Sequence, residues 1–180
     1  MPEDKILQIE NTFRTSNDTN ELFDAFIDAM RNNIKDPDLY KILLANPALS
    51  KDELIMYTEK LCKELNEDAY EICLWTAGIF ENNCEDYDCL NNAIKYYEKA
   101  IDKNPQNHKP FLNLIELYNT DFEVPSNQYI LEIVHKKLDG VRRKSKVYYA
   151  LAGLYKKLGN VEQQRKYFSL AERCALRENQ

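Results

Sequence analysis

An all-α protein is what this sequence predicts, on three observations. Glycine occurs 4 times and proline 6 times in 180 residues, too few for a β-protein built on tight turns. Glu, Lys, Leu and Ala are abundant, and these side chains lose little freedom in a helix. Apolar residues recur at three-to-four spacing through most of the chain, which puts them on one helical face. At 44% hydrophobic, a chain of this length builds a core without disulfide or metal staples.

The elements follow in order. Ile6, Ile9 and Phe13 share a helical face, so the first dozen or so residues are expected to form a loose helix or to fray. Residues 19–34 carry the stripe Leu22, Phe23, Phe26, Ile27, Met30 and Ile34. Asp36-Pro37 is expected to end that helix, because proline pushes its predecessor out of the helical region. The short apolar segment LYKILLA runs to Asn46-Pro47, and Ser50 with Glu53 three residues on reads as a capping box opening a helix to about Leu65. Residues 67–82 bear Ile72, Cys73, Trp75, Thr76, Ile79 and Phe80. Helices are then expected over 89–104, over 108–120 paired with 125–139, and over 144–158 paired with 160–177.

Charge is unevenly spread. Through His135 there are 12 Lys and Arg against 26 Asp and Glu, a balance of −14; from Lys136 onward there are 12 against 4, or +8. The two ends therefore carry opposite potentials. The opening MPEDKILQIE is charged where a secretory leader needs an apolar core, and no run reaches the roughly eighteen apolar residues that span a bilayer; a cytoplasmic protein is the expectation. The five cysteines form no CxxC pair, and most are read as small buried hydrophobes, with thiols kept reduced.

Chemistry-bearing constellations are sparse. His108 and His135 stand far apart. Cys84 and Cys89 with His108 lack the spacing of a zinc site, and the turn Glu85, Asp86 and Asp88 lacks the glycine and spaced carboxylates of a calcium loop. No phosphate loop, GxSxG elbow or HExxH helix occurs. Neither a catalytic residue, a cofactor nor a metal is expected.

Internal self-similarity carries more. In YYALAGLYKKLGNVEQQRKYFSLAERCAL, residues 148–176, Tyr148, Leu151, Ala152 and Tyr155 precede Gly159-Asn160, and Phe168 and Ala171 follow. NNAIKYYEKAIDKNP repeats the second half of that pattern with Ala93, Tyr97, Ala100 and Pro105, and FLNLIELY starts another unit with Phe111, Leu114, Ile115 and Tyr118. Small residues let antiparallel helices approach while aromatic ones fill the space beside them. Gly159 suits a left-handed helix end, and Asn160 with Gln163 suits the next cap.

This pattern resembles the tetratricopeptide repeat, a 34-residue helix-turn-helix unit. The resemblance covers about residues 68–177. It is uneven: Gln164 stands where the family has Ala, the middle unit keeps only Leu131 and Val134 at core positions, and its span from His108 to Ser145 is three residues too long. It implies a right-handed superhelical stack of antiparallel helix pairs. Residues 1–66 would form an N-terminal helical cap and degenerate helix pair, and 67–180 about three repeats, at 67–107, 108–144 and 145–178.

What the resemblance implies for function is a protein-interaction scaffold that holds a peptide or partner helix on its concave surface. The outward positions of the first helices are then Lys109, Leu112, Asn113, Glu116 and Asn119 in the middle repeat and Lys146, Tyr149, Ala150, Gly153, Lys156 and Lys157 in the last. Of these, Lys109, Leu112, Asn113, Glu116, Lys146, Tyr149, Lys156 and Lys157 are the candidate partner-binding residues, with an acidic partner favoured by the basic C-terminal repeat. The carboxylate clamp of some chaperone-binding relatives would use Asn113, Lys146 and Asn82, but Gly78 and Ala150 stand where it needs cations. Two other readings are a small acidic chaperone for secretion or assembly, and nucleic-acid binding through Lys136, Lys137, Arg142, Arg143, Lys144 and Lys146.

Overall fold

A computed structural model describes residues 2–83 and 87–179. Among them are ten α-helices, one short 3-10 helix and no strand. By contacts the chain divides into two compact units, residues 1–79 and 80–180, and each is described in turn.

The first unit opens with α1 (Pro2–Thr15), a full helix where the sequence allowed fraying. Ile9 and Phe13, one turn apart, are both buried, and the Asn46 amide donates to the Phe13 and Ser16 carbonyls at 2.9 and 3.0 Å, tying down the helix end. Helix α2 (Thr19–Arg31) starts at Asp18, whose carboxylate accepts from Asn20 N–H. It stops earlier than expected. Asn33 takes the left-handed conformation, φ 53°, and Ile34 N–H closes back on the Ala29 carbonyl. Asp36-Pro37 therefore begins the next helix instead of ending this one: Asp36 accepts from Asp38 and Leu39 N–H, and Pro37 occupies the first turn of α3 (Pro37–Leu44).

Phe26 of α2 is the centre of this unit's aromatic packing. Its ring meets Tyr40 of α3 and Tyr57 of α4 (Lys51–Glu64) edge-on, with centroids 6.1 and 4.8 Å apart. Burial, with the Asp36 carboxylate adding to it, pushes the Tyr40 phenol up to about 12, so it stays a neutral donor to the Ile34 carbonyl. Phe23, expected in the α2 stripe, is exposed, and Ala29 lies in the core instead. The Ser50/Glu53 capping box forms as expected. Helix α5 (Ala69–Asn82) begins in this unit and crosses α4 through small residues, with the Thr58 and Thr76 hydroxyls 3.0 Å apart and the Cys62 and Cys73 sulfurs 3.4 Å apart. Trp75 is exposed and donates its indole N–H to the Lys41 carbonyl at 3.1 Å.

The second unit takes the last turn of α5 and then α6 (Tyr87–Lys103), α7 (Lys109–Glu116), α8 (Pro125–Lys137) with a 3-10 turn at Leu138–Gly140, α9 (Lys144–Lys157) and α10 (Val161–Glu178). The small-large alternation on α6 is structural: Ala93, Tyr96, Tyr97 and Ala100 are buried, and Tyr96 stacks on Phe80 with centroids 5.8 Å apart. Lys137 of α8 reaches Glu98 and Asp102 of α6 at 2.9 and 2.5 Å, and Tyr129 donates to Glu98.

Helix α7 is four residues shorter at its C-terminal end than expected, and the reason lies in Asn127. That side chain, 6% exposed, accepts from Asn119 N–H and donates to the Asn119 and Phe122 carbonyls, while Asn119 Oδ1 accepts from Asp121 and Phe122 N–H. The loop 117–124 is thus pinned from inside, which accounts for the three extra residues in this period. In α8 the core residues are Ile130, Ile133 and Val134, with Leu131 only half-buried. Gly159 has φ +69° and Asn160 accepts from Gln163 N–H, as expected for the α9–α10 turn.

The packing of α9 on α10 corrects one aromatic assignment. Tyr167, 7% exposed, fills the place expected for Phe168, which is 48% exposed. Tyr167 stacks on Tyr155 at 5.4 Å, lies 6.1 Å from Tyr148 and from His135, and bonds His135 Nε2 through its hydroxyl. At the far end, the Glu178 carboxylate accepts from both the N–H and the hydroxyl of Ser145, capping α9 where Arg143 does not.

Candidate partner-binding groove

Helices α7 and α9 pack beside one another within the second unit, and their outward faces form a groove of about 650 Å³. From α9 it takes Lys146, Tyr149, Ala150, Gly153, Leu154 and Lys157, spaced as one face of a helix over three turns. From α7 and the residues after it come Leu112, Ile115, Glu116, Tyr118 and Thr120.

The floor is open because of what is missing from it. A Cβ added at Gly153 would meet nothing within 4 Å, and Ala150 beside it is small. Tyr149 forms one wall. The residue is 42% exposed and its ring is held edge-to-face by Phe168 at 5.7 Å, which gives the groove a braced aromatic side. Lys146 and Lys157 stand at the two ends of the α9 face, against the single carboxylate of Glu116 on α7. Near the Lys146 end, the His108 pKa is lowered by burial first and then by Lys146 and Arg143, with Glu178 pulling the other way.

Of the residues expected from sequence, Leu112, Glu116, Lys146, Tyr149 and Lys157 meet in this groove; Lys109, Asn113 and Lys156 do not line it. Lys109 and Lys156 are exposed, at the first turn of α7 and the last of α9. The Asn113 side chain instead hydrogen-bonds the buried Tyr97 hydroxyl, which also donates to Glu81. Asn119 is spent within the pinned loop. Ile115, Tyr118 and Leu154 also line the groove; Ile115 and Leu154 are buried and Tyr118 half-buried, so apolar edges reach the surface between the two helices.

Other candidates are placed as follows. In the basic run, Lys137 pairs with Glu98 and Asp102, and Lys144 lies 3.5 Å from Asp139. His135 bonds Tyr167. Cys84, Glu85 and Asp86 lie outside the described residues. Among the described residues there is no group of three or more His, Cys, Asp and Glu fit to hold a metal, and no helix long and apolar enough to cross a membrane.

Antiparallel helix pairs joined by short turns, with small residues at their crossings and a groove between successive first helices, define a helical-repeat protein. Residues 145–173, nearly all of α9 and most of α10, match the family described as Tetratricopeptide repeat, so this helix pair is similar to one such repeat. Repeats of this family are in general protein–protein interaction scaffolds. No curated protein and no solved structure matches the chain.

Proposed function

We propose that this protein is an interaction module that holds an acidic segment of a partner protein in the groove between α7 and α9. The observation that carries the reading is the makeup of the α9 face: an open floor at Ala150 and Gly153, an aromatic wall at Tyr149, and a lysine at each end. The floor takes an apolar side chain of the segment, Tyr149 packs against its stem, and Lys146 and Lys157 attract its carboxylates and set its position. Lys109 and Lys156, exposed nearby on the same two helices, add to the positive field without touching the floor.

Gly153 gives the cleanest test, because a Cβ there meets nothing within 4 Å, the rest of a leucine side chain projects into the groove, and helix propensity improves by up to about 1 kcal/mol. Gly153→Leu is expected to keep or raise the melting temperature while abolishing capture of an acidic peptide carrying one large apolar residue. The double variant K146E/K157E is expected to weaken the same peptide at least tenfold and to gain affinity for its lysine-substituted counterpart. Titration by fluorescence anisotropy measures both. Unchanged binding in Gly153→Leu would place recognition outside the groove.

A further inference from the structure

We propose that Cys62 and Cys73 form a peroxide-sensitive dithiol that closes into a disulfide between α4 and α5. The two sulfurs are 3.4 Å apart, which is contact distance, although the residues lie eleven positions apart on different helices. Their approach is built into the helix crossing. One turn away the buried Thr58 and Thr76 hydroxyls meet at 3.0 Å, so two successive rungs of small polar side chains hold the antiparallel helices together. A disulfide needs a sulfur separation of about 2.05 Å, so closure requires roughly 1.4 Å of movement shared by two side chains.

The pair is asymmetric in a way that assigns the roles. Cys62 is half-buried and so the more accessible of the two, whereas Cys73 is 1% exposed. The Cys62 thiolate attacks the O–O bond of a hydroperoxide, retaining one oxygen as sulfenic acid while hydroxide or alkoxide leaves and is protonated. Cys73 then attacks the sulfenic sulfur; the S–O bond breaks, and the hydroxyl leaves as water with the Cys73 proton. Two thiols lose two electrons and the peroxide gains them, which for hydrogen peroxide yields two waters. Metal capture does not compete, since no third His, Cys, Asp or Glu among the described residues completes a cluster with these sulfurs. The bond staples α4 to α5 and would stabilise the first unit by restricting the unfolded chain.

Peptide mapping of the intact chain tests this without any substitution. The reduced protein is exposed to hydrogen peroxide, alkylated with N-ethylmaleimide and digested. The expected result is a Cys62–Cys73 linked peptide about 2 Da lighter than its two reduced parts, loss of two of the five thiols, reversal by dithiothreitol and a melting temperature raised by several degrees. In Cys73→Ser the resolving sulfur is gone, and dimedone should trap the sulfenic acid at Cys62. Full alkylation of both cysteines after peroxide, a linked peptide that forms only in denaturant, or disulfides solely between chains would each overturn the proposal.

Discussion

Tyr167 shows how much rests on one side chain in the last helix pair. Neighbouring residues on a helix point about 100° apart, so Tyr167 and Phe168 cannot both fill the buried position under α9, and one of them is left at its edge. The structure buries the tyrosine among Tyr148, Tyr155 and His135 and leaves the phenylalanine against Tyr149. Tyr167→Ala should therefore cost about 3–5 kcal/mol in urea unfolding and Phe168→Ala about 1 kcal/mol or less. Equal losses would return the core position to Phe168. The same cluster sets a pH dependence. Burial first and Lys166 second hold the His135 pKa below its ordinary 6.5, and His108 shifts the same way. The unfolded chain then binds the proton more readily, so this stability is complete above about pH 6.5 and is lost as pH falls through the window below it. The melting temperature should drop on acidification across that window, and His135→Gln should flatten the drop. A variant that follows the parent curve would assign the dependence to other groups.

Elements were legible where local chemistry alone decides them. The Ser50/Glu53 box, the left-handed Gly159 and the small-large alternation on α6 are satisfied within a few residues or along one helix face, and each is found where the sequence places it. Elements that depend on distant partners were not legible. Whether α1 frays depends on Asn46, thirty or more residues away, bonding the carbonyls of Phe13 and Ser16 at its end. The end of α7 depends on Asn127 entering the loop from the following helix. The groove was half legible for the same reason: helical period finds Lys146, Tyr149 and Lys157 on α9, but only the neighbouring helix shows that Asn113 is turned toward Tyr97. Asn127→Ala removes one acceptor and two donated bonds from a nearly buried position. It should cost about 1–3 kcal/mol, most of it the penalty of leaving loop carbonyls and the Asn119 N–H without partners. A second observable separates this from simple loss of a side chain: amide exchange at Asn119 and Phe122 should accelerate well beyond the global change in stability. Unaltered exchange there would show that the loop holds itself.

Across the whole molecule, average charge and local charge predict opposite behaviour toward the proposed partner. The chain carries a net −6, and an acidic peptide should be repelled by it on average. From Lys136 onward the balance is +8, and the groove between α7 and α9 has Lys146 and Lys157 of α9 at its ends. Which one governs depends on the screening length. At physiological ionic strength potentials decay over about 8 Å, so a peptide at the groove responds to charges on α7 and α9 and hardly to distant carboxylates; at about 0.01 M the length is roughly 30 Å and the acidic residues are felt as well. Association rates measured by stopped flow should therefore fall steeply with added salt from about 0.1 M upward, the signature of attraction. Below that concentration the slope should flatten or reverse as the rest of the molecule begins to oppose approach. In K146E/K157E the high-salt slope should become much shallower, because the remaining lysines on α7 and α9, among them Lys109 and Lys156, are then offset by Glu116 and the two new carboxylates. A parent rate that rises with salt throughout would mean that net charge governs the encounter and that an acidic partner is the wrong class.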